Sequence, residues 1–158
     1  MKTIFATAAV LSVIAAPAFA QSSDSTLLTS NVALICTIDA PSDTTVTLGS
    51  GSQGIGSVTA QCNSSTGFTS TVASANAGFL ADSATTSNPT KYAYTVAIPG
   101  SAPQQLTTPY EFDSSTSGQN ASLLTAVTYP ISISVGAATG PAYAGNYQDR
   151  LTFSLTAN

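Results

Sequence analysis

Two acid pairs and one cysteine pair are the residues of this chain whose types and spacing could do chemistry. Glu111 and Asp113 stand two apart, so on a strand both side chains leave the same face. Paired carboxylates can hydrolyse a glycosidic bond when burial raises the pKa of one of them. The chain has no Trp to serve as a sugar platform, and Ser114 and Ser115 follow the pair, which reads as a solvated strand end. Asp39 and Asp43 flank Pro41 and could share a calcium ion. They lack the D-x-D-x-D-G ligand series, so turn-forming acids are the better reading. Histidine is absent, which removes the commonest general base and the commonest metal ligand. Lys91 has no S-x-x-K partner for a Ser-Lys dyad. The expectation is a protein that is not an enzyme, with no catalytic, cofactor-binding or metal-binding residues.

The cysteines, Cys36 and Cys62, have neither C-x-x-C spacing nor a histidine base. Their compartment decides their reading. Lys2 gives a short positive start, Ile4 to Ala16 is apolar, and Pro17-Ala18-Phe19-Ala20 supplies an A-x-A site. Residues 1–20 therefore read as a secretory signal peptide cut after Ala20, with an apolar run too short to span a bilayer comfortably. An even cysteine pair behind such a leader reads as a disulfide. Closing this loop stabilises by roughly 3 kcal/mol in the loop-entropy account. The expected location is the periplasm in transit, then the cell surface or the medium.

From Gln21 onward the only cations are Lys91 and Arg150, against seven acids. That balance offers no footprint for nucleic acid or for an anionic membrane surface. Across the full chain polarity comes instead from 23 Ser and 24 Thr, with charged residues at 6%. Threonine suits a pleated surface, and the helix formers Glu, Lys and Arg are scarce. The composition predicts an all-β domain.

Apolar residues recur mainly with period two. Leu28, Val32, Leu34, Cys36 and Ile38 share one face of a long alternating stretch, interrupted at Ser30. Shorter strands are expected at 45–48, 57–62, 68–73, 92–98, 106–112, 126–135 and from Tyr147 to the end. Residues 49–56 read as a glycine-rich turn, while 74–90, 113–121 and 136–145 read as loops. Pro130 cannot donate to a ladder, so its strand should be an edge or carry a bulge there. Seven to nine strands separated by turns predict an immunoglobulin-like β-sandwich, with no internal repeat.

Two regions resemble the spore coat U domain family, secreted proteins related to subunits of archaic chaperone–usher pili. One is Val32-Ala33-Leu34-Ile35-Cys36-Thr37-Ile38, with a second cysteine ending the strand Val58-Thr59-Ala60-Gln61-Cys62. The other is Gly145-Asn146-Tyr147-Gln148-Asp149 followed by an alternating strand, similar to the family's closing G-x-Y-x-D pattern. In that pattern Gly145 permits the turn, Tyr147 packs at the sandwich corner and Asp149 accepts local backbone hydrogen bonds.

The resemblance implies a sandwich lacking its last strand, completed when a neighbour's N-terminal segment adds to it. Residues 21–34 would then be an extension carrying the donor positions Leu28, Ser30 and Val32, and 35–158 the sandwich domain. Partners implied are neighbouring copies or related subunits, a periplasmic chaperone and an outer-membrane usher. Two alternatives stay open. Residues 27–38 could form one ordinary edge strand of a closed monomer. The protein could also be a self-contained secreted binding module for glycans, using Tyr92, Tyr94, Tyr110 or Tyr143 as its platform. A hydrolase is the third class.

Overall fold

The computed structural model describes residues 23–82, 88–115 and 125–158. The proposed signal peptide and its cleavage site lie outside the described residues. Ala33–Asn158 forms one compact unit, and the described residues before it belong to a separate one. Residues 23–35 carry no strand.

The compact unit is all-β. Its strands are β1 (Cys36–Asp39), β2 (Gln53–Cys62), β3 (Phe68–Ser74), β4 (Phe79–Asp82), β5 (Lys91–Ala97), β6 (Tyr110–Ser115), β7 (Val127–Ala138), β8 (Tyr147–Gln148) and β9 (Leu151–Ala157). A six-stranded sheet runs β1-β2-β7-β5-β4-β8, a three-stranded sheet runs β6-β3-β9, and every pairing is antiparallel. The two sheets pack face to face as a β-sandwich.

Alternation does most of the folding work. On β5, Tyr92, Tyr94 and Val96 point inward, and on β7 Ile131, Ile133 and Val135 do the same. They meet Val72 of β3 across the sandwich, together with Val58 of β2 and Leu106 from a loop, in one apolar cluster. Phe112 of β6 packs edge-on against Tyr129 of β7, with ring centroids 5.5 Å apart, and against Phe153 of β9 at 6.4 Å. A second cluster joins Cys36, Cys62 and Phe68 to Leu155 and Ala157. Cys36 and Cys62 are disulfide-bonded and stand directly opposite one another in the β1–β2 ladder.

Several expected boundaries move, each for a local reason. The long alternating stretch 27–38 is a strand only from Cys36, where β2 begins to supply ladder partners. The expected strand at 45–48 is absent; Thr47 instead exchanges two hydrogen bonds with the Gln53 side-chain amide, at 2.8 and 2.9 Å. The glycine-rich turn is shorter than expected, because β2 starts at Gln53 and absorbs Gly54 and Gly56 in a bulge. Gly56 has φ +119°, and a Cβ there would lie 2.6 Å from the Pro41 Cβ, so the bulge and the Pro41 contact both require glycine.

The segment read as a connection from 74 to 90 contains β4. A further departure falls at 106–112. Leu106 is only 1% exposed but sits in a loop beside the Val96–Gln104 bridge, and β6 begins at Tyr110. Pro130 lies in an interior strand, yet the β5 ladder covers only Ser132–Ala138 of β7, so at Pro130 that side of the strand is a local edge. The final stretch is two strands, because Asp149 and Arg150 carry the chain from one sheet to the other.

Two measurements check this packing. Protein isolated without reductant should show no free thiol, and replacing both cysteines with Ser should cost about 2–5 kcal/mol in denaturant unfolding. Ser70 is wholly buried on β3 with its hydroxyl unpartnered. Ser70→Ala should therefore leave stability unchanged or raise it by about 1 kcal/mol, since an unpaired buried hydroxyl is a cost.

Candidate functional site

The two acid pairs begin on different sheets, Asp39 at the end of β1 and Glu111 on β6. Glu111 is exposed on β6, the outer strand of its sheet, and Asp113 lies two positions on, opposite Ser70. Asp39 ends β1, and Asp43 lies on the segment that follows. No group of three or more Cys, Asp or Glu side chains among the described residues could hold a metal ion. Of the four tyrosines that could form a sugar platform, Tyr92 and Tyr94 are buried, Tyr110 packs against the core, and Tyr143 is 54% exposed.

The distinctive surface is a cleft of about 550 Å³ beside β9. Residues 40–46 form one wall, and Leu151 and Phe153 with the preceding Gln148–Arg150 form the other. Its floor is core: Ile55, Leu80, Tyr94 and Ile133. The cleft exists because β9 has a partner on one side only. It pairs with β3 from Leu151↔Ser74 to Ala157↔Phe68 and is the outer strand of its sheet. The inward residues of β3, Phe68, Ser70 and Val72, are buried. Those of β9, namely Leu151, Phe153, Leu155 and Ala157, are only half-buried. β1 covers the far end, where Cys36 meets Leu155 and Ala157.

Asp149 fixes the near end. Its Oδ2 accepts from the Tyr94 hydroxyl at 2.6 Å and from the Ser74 hydroxyl, while Oδ1 accepts from the backbone N–H groups of Asn76 at 3.0 Å and Arg150 at 2.7 Å. Ser74 Oγ in turn accepts from the N–H of Gly78 at 2.7 Å, and the Asn76 side chain donates to the Gln148 carbonyl at 3.1 Å. One carboxylate thus ties β5 of the large sheet to the β3–β4 turn. Burial, reinforced by the bond to Asp149, pushes the Tyr94 phenol well above its ordinary value.

Tyr147 stands edge-on to Tyr92 at 4.9 Å; its hydroxyl donates to the Tyr143 carbonyl at 2.8 Å and accepts from the Asn88 amide at 2.9 Å. Gly145 has no left-handed φ. Its place is set by contact, because a Cβ there would lie 2.7 Å from Asp82 Oδ2. Leu28, Ser30 and Val32 lie on the strandless segment, with Leu28 89% and Val32 83% exposed. Sequence reasoning missed the cleft wall at 40–46 and the partners of Asp149. The one available signal for the wall was Pro41 paired with a glycine in the next strand, which no spacing rule connects.

The shifted phenol makes a pH prediction. Stabilisation from a neutral, buried Tyr94 is complete below the ordinary tyrosine pKa of about 10 and is lost as pH rises toward the folded-state value. Wild-type melting temperature should fall above about pH 10, where the unfolded chain can ionise and the folded one resists. Tyr94→Phe should flatten that fall, read by thermal melts between pH 8 and 11.

No family model matches this chain, and no curated protein is similar to it in sequence.

Proposed function

We propose that the protein is a secreted, non-enzymatic structural or adhesive subunit of a pilus-like surface polymer, assembled by β-strand exchange. One observation carries the reading: β9 holds a row of half-buried apolar side chains beside a cleft with an apolar floor, next to a strand whose equivalent row is buried. A sandwich with this edge open takes one more strand along β9, gaining main-chain hydrogen bonds from the free edge and covering Leu151 and Phe153.

The donor is the N-terminal segment of another copy. Residues 27–34 alternate, are exposed and join no ladder of their own. With Leu28 and Val32 facing the cleft, each apolar side chain that passes from water into it contributes about 1.5–3 kcal/mol. The small Ser30 between them leaves room for a bulky acceptor residue. The alternative of one edge strand over 27–38 has no support in the ladder, which starts at Cys36.

The disulfide fits an oxidising compartment. With the leader at 1–20 it supports export through the periplasm to the cell surface. A subunit with an open cleft needs cover in transit, which is the part we assign to a periplasmic chaperone and an outer-membrane usher. The likeness to the spore coat U domain family leads to the same assignment.

Val32→Asp tests it. A charge on the donor face should abolish polymerisation of the mature chain, read by sedimentation, while the folded body still binds a labelled peptide of residues 21–34. Polymers of wild-type length from Val32→Asp, or a folded body that ignores the peptide, would overturn the proposal.

A further inference from the structure

We infer that Asn63 is a positioning residue that makes strand exchange run between copies, by holding the base of the N-terminal segment straight. This rests on the strand-exchange reading and adds to it the reason a subunit does not fill its own cleft.

Asn63 follows Cys62 at the end of β2 and stands level with Ile35, the next pair in the Cys36↔Cys62 register. It makes three bonds to the chain entering β1. Its backbone N–H donates to the Ile35 carbonyl at 3.0 Å, its Oδ1 accepts from the Ile35 N–H at 2.6 Å, and its Nδ2 donates to the Ala33 carbonyl at 2.8 Å. Those three groups share one side because alternate residues of an extended chain present their polar atoms together. The neighbouring disulfide fixes the same point covalently.

The consequence is directional. β1 runs from Cys36 toward Asp39 and the cleft wall at 40–46, so the chain at Ala33 leaves from the opposite end. To lie along its own β9, the segment would have to reverse within residues 32–35. A tight reversal needs residues such as Gly, Asn, Asp or Pro. Ala33-Leu34-Ile35 supplies none, and Asn63 bonds both ends of that tripeptide in the extended form. A second copy of this chain is then the acceptor.

The test uses the mature chain with Ala33→Asn and Leu34→Gly, which supply a turn, with and without Asn63→Ala. With Asn63 present, the turn variant should still polymerise. With Asn63→Ala added, it should sediment as a monomer at every concentration and bind the labelled 21–34 peptide at least about tenfold more weakly than the Val32→Asp body, a difference equal to about 1.4 kcal/mol. Amide exchange should show Ile35 protected in wild type and unprotected in Asn63→Ala, whichever way assembly goes. Closure with Asn63 in place, continued polymerisation without it, or unchanged Ile35 protection overturns the role of Asn63. If the Val32→Asp body fails to bind peptide, the strand-exchange reading itself falls.

Discussion

Unequal sheet widths govern this structure. Among the described residues six strands face three, and a sheet buries its apolar face only under something of comparable area. The smaller sheet covers the middle of the larger one, where Val58, Val72 and Ile131 are wholly or nearly enclosed. Beyond its edge, pieces without regular structure substitute for strands. Leu106 plugs the core from a loop, Pro41 lies against Gly56 of the β2 bulge, and Val46 packs on the core beside them. What they leave uncovered is the cleft along β9.

A sandwich whose chain changes sheets must hold the crossing in place. Here the crossing is two residues long, between β8 in the large sheet and β9 in the small one. Asp149 occupies it and accepts hydrogen bonds from Tyr94 of the large sheet and Ser74 of the small one. A carboxylate serves better than a neutral group because it accepts four such bonds and the charge-assisted ones are stronger. The same residue therefore sets where β9 begins and how its inward row is presented to the cleft.

The all-β class, the disulfide and the cores of β3, β5 and β7 were legible because alternation and burial coincide there. Tyr92, Tyr94 and Val96 alternate in sequence and are buried in the fold. Legibility failed where a partner outside the window decides the outcome. Residues 27–35 alternate as well as any strand, but the ladder starts at Cys36, and only the Asn63 bonds to Ile35 and Ala33 reach beyond it. β4 was hidden inside a polar stretch because Phe79–Asp82 is a strand by virtue of its pairing with β5 and β8. Gly54 and Gly56 read as a turn because a bulge uses the same residue type for the same freedom of φ. The cleft itself is a property of sheet width, which no local pattern encodes.

Edge strands invite pairing with other chains, and folded proteins defend them with brevity, charge, bulges or cover. β8 is two residues long; β1 is four and is tied by the disulfide. β6 carries Glu111 and Asp113 and is bulged against β3. β9 is covered by β1 only at its far end, around Leu155 and Ala157, and otherwise has none of these devices. Its sequence, Leu-Thr-Phe-Ser-Leu-Thr-Ala, contains no charge and no proline, and its register against β3 is unbroken over seven pairs. Under the strand-exchange proposal, the stretch of β9 beside the cleft is where the incoming strand pairs, because there the edge carries neither charge nor bulge and its inward Leu151 and Phe153 remain half-buried.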